Sequence, residues 1–179
     1  MQWKKPNGWI ITTGSSEYND REYAVFDPRN LQKPLTKKIL DTNSHVMWTY
    51  LDDISNLFFV TNKGSTRLQI LYYSQDGETT NGLPELIPLG HHDCKSAAQS
   101  IYFMSKRVLD SNKNELQRAL RFTGKAAEFI SFKLPRKKEG SDADLYPPIR
   151  GTNPSMNFSQ WSSGQNSAPV MVEFDHDYS

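Results

Sequence analysis

The stretch "NDREYAVFD", residues 19–27, decides the fold of this chain. A turn-forming Asn-Asp pair leads into a run in which side chains of alternating character follow one another, as in a half-buried β-strand. Asp20 lies six residues before Phe26, and Asp27 comes directly after it. An aspartate in a turn can accept hydrogen bonds from nearby backbone and side chains, and an aromatic residue at the strand end can pack between sheets. The spacing therefore predicts a strand held by a structured turn.

This arrangement is the pattern of a WD repeat, in which a turn aspartate precedes a strand that ends in Trp-Asp, here with Phe in place of Trp. About 45 residues further on, "GSTRLQILYY" places Ser65 and Leu71 at the two equivalent positions. A third and more degenerate copy surrounds "TGKAAEFISF". A period of about 40 to 50 residues with four short strands in each unit is typical of propeller blades. An ordinary β-sandwich with turn-rich hairpins is the alternative on the pattern alone.

The rest of the chain continues the series of short strands. The apolar runs are short, rich in β-branched and aromatic residues, and bounded by Gly, Pro, Asn and Asp. They are "GWIITTG", "LTKKILD", "VMWTYLD", "NLFFVTN", "RLQILYY", "PELIPLG", "SAAQSIYFM" and "AEFISFKLP". "NELQRALRF" is ambiguous, because its residues favour a helix while its place in the series favours a strand. Six aromatic residues within these runs are expected in the core, namely Trp9, Trp48, Phe58, Phe59, Tyr102 and Phe103.

The composition excludes several classes of protein. The chain has 179 residues, 36% of them hydrophobic, and a formal net charge of +1. Such a near-neutral balance argues against a dedicated nucleic-acid binder. No run of apolar residues is long enough to span a membrane. The single cysteine, Cys94, cannot form an intramolecular disulfide, which indicates a reducing compartment such as the cytoplasm.

The sequence offers no pattern typical of an enzyme or a metalloprotein. "GHHDCK" carries His91, His92, Asp93 and Cys94, but neighbouring side chains of an extended segment point to opposite faces and would not converge on zinc. We interpret this stretch as a polar loop between strands. The carboxylates of "YLDDIS" and "SDADLY" fall at strand ends and in a loop. We therefore predict no catalytic residues, no metal and no cofactor.

Three basic clusters are the better candidates for function. They can attract an acidic partner, although Lys and Arg also solvate strand edges and discourage aggregation. The clusters are Lys37 with Lys38, Lys106 with Arg107, and Arg136 with Lys137 and Lys138.

Long irregular stretches resemble the coronin family of actin-binding WD-repeat proteins. "ITTGSSEYNDREYAVFDPRNLQKPLTKKILDTNSHV" is similar to the family's fifth blade, and "NLFFVTNKGSTRLQILYY" to the central strands of the sixth. "IYFMSKRVLDSNKNELQRALRF" resembles the distinctive seventh-blade segment. "LPRKKEGSDADLYPPIRGTNPSMNFSQW" resembles the C-terminal extension. The last two are not general features of WD repeats, and together the four cover nearly the whole chain.

The resemblance implies an all-β fold made of about three C-terminal blades of a seven-bladed propeller. Residues 1–138 are expected to form this partial propeller, and residues 139–179 an extension that packs on it. In the family, the N-terminus of the full protein supplies the outermost strand of the last blade. The last blade here is therefore expected to have an open edge, which predicts self-association.

The extension begins with Tyr-Pro-Pro, which by itself could be a ligand for a proline-reading module. The resemblance instead makes "LYPPIRG" a rigid segment that starts the extension, where prolines fit because no backbone donors are needed. The charged stretch before it remains a plausible partner contact. "TNPSMNFSQW" is expected to begin a short helix, with Asn153 as its cap and Pro154 at its first position.

The resemblance further implies a non-enzymatic, cytoplasmic scaffold that binds filamentous actin and regulates filament organisation, with the actin-branching complex as a second partner. The seven basic residues would then be candidate actin contacts, and Asp20, Phe26 and Asp27 structural residues of the repeat. The alternative is a generic WD-repeat adaptor that binds another protein and not actin. A propeller enzyme would need convergent carboxylates or a metal in the central channel, and the sequence offers neither.

Overall fold

A computed structural model describes residues 2–4, 8–76, 82–135 and 146–173. Two four-stranded sheets and one three-stranded sheet account for most of these residues, and their strands follow the chain order. The first sheet contains β1 (Gln2–Lys4), β2 (Trp9–Ser15), β3 (Asp20–Phe26) and β4 (Thr36–Thr42). The second contains β5 (Met47–Asp52), β6 (Leu57–Asn62), β7 (Arg67–Ser74) and β8 (Glu85–Asp93). The third contains β9 (Ser100–Phe103), β10 (Glu115–Phe122) and β11 (Ala127–Lys133).

Neighbouring strands of the first two sheets are antiparallel. Three asparagines adopt the left-handed conformation immediately before a strand, namely Asn19 (φ 64°), Asn56 (φ 56°) and Asn114 (φ 52°). Asparagine tolerates this conformation better than other side chains, which explains its recurrence at these turns. The all-β prediction and the predicted series of strands are confirmed.

The core of the first two sheets is built from buried residues of their central strands, β3 and β6. Tyr23 and Val25 on β3 are 2% and 0% exposed, and Phe58 and Val60 on β6 are 0% and 1% exposed. They belong to one cluster whose other members are Ile11, Leu51, Leu71, Tyr73 and Leu86. Burial of a side chain of this size contributes about 1.5 to 3 kcal/mol, so this cluster is the main source of stability for the two sheets.

The ambiguous segment "NELQRALRF" is strand β10, not a helix. Its buried residues alternate, because Glu115, Gln117, Ala119 and Arg121 face inward. This segment pairs with β9 on one side and with β11 on the other, and this tertiary pairing overrides its local preference for helix. Within the described parts of the chain, β11 has no strand partner beyond β10. Phe129 on β11 is 67% exposed.

The segment after the third sheet is mostly irregular. β12 (Ile149–Arg150) pairs with β13 (Met171–Val172), and a short helix, α1 (Phe158–Ser162), lies between them. The predicted helix start at Asn153 and Pro154 is wrong. The helix is capped by Asn157, whose side chain accepts the Gln160 N–H at 2.9 Å, while the Gln160 side chain accepts the Asn157 N–H at 2.9 Å. This reciprocal capping box satisfies two backbone donors at once, which a cap at Asn153 would not do.

Two further expectations are wrong. The stretch with His91 and His92 is not a loop, because β8 continues through Asp93 and pairs with β7 as far as Arg67, with one shift in register. Tyr102 on β9 is 65% exposed, so it does not belong to the core.

The chain divides into two compact units, residues 1–102 with 120–128 and residues 103–119 with 129–179. The predicted boundary at residues 138 and 139 lies outside the described residues, so that division stays a prediction. No helix in the described ranges has the length and apolar character needed to cross a bilayer.

Candidate functional site

The first and second sheets are joined by a network of buried polar side chains. Arg21 on β3 donates to both carboxylate oxygens of Asp41 on β4, from Nε and from Nη2, each at 2.5 Å. Its Nη1 donates to Oδ1 of Asn62 on β6 at 2.9 Å, and Gln69 on β7 donates to Asp41 at 2.9 Å. Arg21 is 4% exposed. Charge-assisted, bidentate bonds of this kind are the strong ones in proteins, so the network fixes the two sheets against each other.

A second set of contacts joins the same two sheets nearer the outer strands. The Tyr23 hydroxyl accepts the Leu86 N–H at 3.0 Å, and Lys38 Nζ lies 2.6 Å from the Glu85 carboxylate. Burial raises the pKa of Tyr23, and the hydrogen bond to Glu85 raises the pKa of Lys38. These groups line a groove of about 290 Å³. We call the eight residues of both sets the inter-sheet seam: Arg21, Tyr23, Lys38, Asp41, Asn62, Gln69, Glu85 and Leu86.

Substitution of Tyr23 by phenylalanine tests the outer part of the seam. The change leaves the buried Leu86 N–H without its acceptor, which should lower the free energy of unfolding by roughly 1 to 3 kcal/mol. Urea unfolding followed by tryptophan fluorescence measures the loss. Tyr18→Phe is the matched control, because Tyr18 is 81% exposed and its loss of a hydroxyl should change little. Equal stability of the two variants would contradict this role of Tyr23.

The structure separates the roles of Lys37 and Lys38, which are adjacent on β4. Lys37 Nζ lies 2.8 Å from Glu22, and the Lys37 side chain keeps 57% of its surface exposed. Lys38 instead forms an ion pair with Glu85, whose side chain is only 2% exposed. Both lysines are thus ion-paired, but the carboxylate that pairs with Lys37 is itself partly exposed while that of Lys38 is buried, so Lys37 is the more accessible of the two.

The second basic cluster lies in the other compact unit, in a 3-10 turn over Lys106–Val108. The Lys106 ammonium donates to the Leu116 carbonyl, and the Arg107 guanidinium donates to the Arg150 carbonyl. Both charges are thus held near backbone oxygens of their own unit. The third cluster, Arg136, Lys137 and Lys138, lies outside the described residues.

The predicted repeat residues occupy both ends of β3. Asp20 accepts a hydrogen bond from the Thr42 hydroxyl at 2.8 Å, which links it to β4. Phe26 is half-buried and pairs with Ile10 on β2. The Arg29 side chain lowers the pKa of Asp27 to about 2 by donating hydrogen bonds to it.

Asp93 of the histidine stretch contacts two neighbouring side chains. Asp93 lies 2.7 Å from Arg67 and 3.3 Å from the Nε2 atom of His91. His91 and Asp93 share a face of β8, as residues two apart on a strand do. Within the described ranges, no group of three or more His, Cys, Asp and Glu residues is placed to hold a metal ion.

The third sheet contains a buried carboxylate that the sequence did not indicate. Glu115 is 0% exposed, and it accepts the Asp110 N–H at 2.7 Å and the Arg118 Nε–H at 2.8 Å. The hydroxyl of Tyr146 donates to the Glu115 carbonyl at 3.0 Å. Tyr146 is itself buried, so the beginning of "YPPIRG" packs against β10.

Sequence reasoning missed Arg21 and Glu115, although a signal was present. Arg21 shares a face of β3 with Tyr23 and Val25, and Glu115 shares a face of β10 with Ala119. Strict alternation would have placed both charges inside. They were overlooked because charged residues are rarely buried unless a partner, supplied by another strand, neutralises them.

The sequence and the fold resemble those of known proteins. A family model described as a type of WD40 repeat matches residues 127–169. Coronin-2A of Mus musculus is 31% identical over 165 residues, and coronin-2A of Homo sapiens is 32% identical over 165 residues. Each match covers 91% of this chain, which spans 30% of the length of these relatives.

The crystal structure of the WD40 domain from Toxoplasma gondii coronin superimposes with a TM-score of 0.82 at 25% identity. The match covers 93% of this chain and 41% of that one. The three antiparallel sheets are therefore blades of a propeller, and the β-sandwich alternative is wrong. The chain belongs to the coronin family of WD-repeat β-propeller proteins.

Proposed function

We propose that this chain is a non-enzymatic scaffold that binds filamentous actin and contributes to filament organisation in the cytoplasm. The observation that carries the proposal is the match to coronin-2A over 91% of the chain. The irregular stretches that resemble the coronin family lie within the same span, so the likeness is not limited to the general WD repeat. The actin-branching complex is the second partner that the family implies.

The geometry supports β4 as one contact surface. Lys37 projects from a strand whose neighbours are fixed by the inter-sheet seam, and its side chain is 57% exposed. A positive charge on a rigid strand can steer and orient an acidic surface at little cost in conformational entropy. Lys106, Arg107 and the three basic residues at 136–138 remain proposed contacts. Lys38 can contribute only if it leaves Glu85.

Cosedimentation with filamentous actin at low ionic strength tests the proposal. The unmodified protein should pellet with filaments, and Lys37→Ala should bind about two- to fivefold more weakly, as expected for loss of one exposed ion pair. Lys33→Ala is the control, because Lys33 is also an exposed lysine and lies in the connection between β3 and β4. Failure to pellet, both alone and as part of a full-length coronin, would favour the generic WD-repeat adaptor.

Among the described residues β11 pairs with β10 alone, which supports a second proposal, self-association. A strand edge that carries an exposed aromatic residue offers backbone donors and acceptors to another chain. Sedimentation velocity checks it, since the proposal requires a species larger than a monomer that dissociates on dilution.

A further inference from the structure

Backbone hydrogen bonds link three connecting segments: the turn between β6 and β7, the segment after β8, and the turn between β10 and β11. The turn between β6 and β7 is linked to the segment after β8, because the Gly64 N–H donates to the Ala98 carbonyl at 2.8 Å and the Ala98 N–H donates to the Ser65 carbonyl at 2.9 Å. The Cys94 N–H also donates to the Thr66 carbonyl, at 2.7 Å. Lys63 and Lys95 lie on these two linked segments.

The turn between β10 and β11 joins the same group. The Gln99 N–H donates to the Phe122 carbonyl at 2.7 Å, which connects this turn to the segment after β8. The Thr123 hydroxyl accepts the N–H groups of Lys125 and Ala126 at 3.2 and 2.9 Å, so the turn is closed by its own side chain. We call residues 62–66, 94–99 and 122–126 the turn face. All three segments belong to one compact unit.

The backbone of the turn face is held in place from inside the protein. Asn62, which accepts a hydrogen bond from Arg21 in the seam, donates through Nδ2 to the Lys63 carbonyl at 2.9 Å. Gly64 has a φ of 84°, which a glycine adopts without strain at this position of a turn. The lysine at the tip of this turn is thus presented by a fixed backbone.

The turn face carries three lysines that form no ion pair with a carboxylate in the described part of the chain. Lys63, Lys95 and Lys125 are exposed, and none of them forms an ion pair with any described residue. The three segments contain no Asp or Glu, and the carboxylates that flank two of them in the sequence are paired with arginines. Asp93 pairs with Arg67 at 2.7 Å, and Glu128 pairs with Arg121 at 2.8 Å. The net charge of this surface is therefore positive although the chain as a whole is close to neutral.

We propose that the turn face is a docking surface for an acidic segment of another protein. Lysine is a flexible point charge that pairs with single carboxylates. A protein that recognises nucleic acid usually has a strongly positive net charge. A protein that binds anionic membranes usually carries a cluster of about four to eight basic residues. Three separated lysines on a rigid backbone fit neither, but they match the charge of an acidic protein surface. The proposal does not rest on actin binding.

Fluorescence anisotropy with a labelled oligoglutamate peptide at low ionic strength tests the turn face. Lys63→Glu combined with Lys125→Glu should weaken peptide binding about tenfold, because two attractions become repulsions. The control is Lys33→Glu combined with Lys133→Glu, which makes the same change in net charge at exposed positions. Lys33 lies in the connection between β3 and β4 of the first sheet, and Lys133 lies at the end of β11 away from the β10–β11 turn, so neither belongs to the turn face. The control should stay within about twofold of the unmodified protein.

Circular dichroism melts of both double variants verify that they remain folded. Equal weakening by the two double variants would overturn the proposal, as would failure of the unmodified protein to bind the peptide. Tighter binding of an RNA oligonucleotide or of phosphatidylserine vesicles than of the peptide would overturn it as well. Because no actin is present, a failure here is distinct from a failure of filament binding.

Discussion

Replacement of Arg21 by methionine should lower the free energy of unfolding by roughly 3 to 5 kcal/mol, the largest effect expected for a single substitution here. Methionine keeps much of the side-chain length but removes every donor. The Asp41 carboxylate would lose both hydrogen bonds from Arg21 and keep only the one from Gln69. A partly buried charge without its partner is strongly destabilising.

Urea unfolding followed by tryptophan fluorescence measures this loss. Arg29→Met is the matched control, because Arg29 forms a similar pair with Asp27 but its side chain is 84% exposed. Exposed pairs contribute about 0 to 1 kcal/mol, so the control should change little. A double variant, Arg21→Met with Asp41→Leu, should recover part of the lost stability, since no charge is then left unpaired. If Arg21→Met were as stable as Arg29→Met, the seam would not hold the sheets together.

The second large effect is expected for Glu115→Gln, at roughly 3 kcal/mol. The amide retains one oxygen but turns an NH₂ group toward the Arg118 guanidinium, which has only donors to offer. The Asp110 N–H and Arg118 would then compete for a single acceptor. Because Leu134 N–H donates to the neighbouring Asn114 carbonyl at 3.0 Å, the end of β11 should loosen together with the start of β10.

The effect of Glu115→Gln should depend on pH. Burial raises the pKa of Glu115, but hydrogen bonds from Arg118, the Asp110 N–H and Ser131 outweigh it and leave the pKa below its usual value. A carboxyl whose pKa is lowered by folding stabilises the protein above its unfolded-state pKa of about 4.3, and this stabilisation is lost as the pH falls through the folded-state value. The difference in stability between the unmodified protein and the Glu115→Gln variant should therefore be largest near neutral pH and shrink in acid.

Thermal melts of both proteins at a series of pH values provide the measurement. Glu17→Gln is the control, because Glu17 is an exposed carboxylate in the turn before β3. If the difference in melting temperature between the unmodified protein and Glu115→Gln stayed constant across the acid range, Glu115 would act through its shape alone and not through its charge.

Most of the fold could be predicted from the sequence because strand signals are local. "REYAVFD" and "NLFFVTN" carry alternation or continuous apolar character within a few residues, and both are strands of a sheet. "NELQRALRF" could not be resolved locally, because its strand state depends on pairing with β9 and β11. The helix cap was misplaced for a similar reason, since Asn153 and Asn157 both suit a cap and only Asn157 has Gln160 as its reciprocal partner.

The functional surfaces were less predictable than the fold. Adjacent lysines such as Lys37 and Lys38 look equivalent in the sequence, but Glu85, 47 residues away, engages only the second. The turn-face lysines were not singled out because each stands alone in the sequence. They form one surface only through hydrogen bonds between segments that are far apart along the chain. Neither relation can be derived from spacing.

Cosedimentation with filamentous actin across a salt series tests the central claim most directly. The chain should bind filaments at low ionic strength and progressively lose affinity as salt is added, because exposed charges are screened over about 10 Å at 0.1 M. A full-length coronin, measured in parallel, should bind more tightly with the same direction of salt dependence. Absence of binding at low salt for both proteins, or binding that salt does not change, would contradict a filament-binding role carried by basic surface residues.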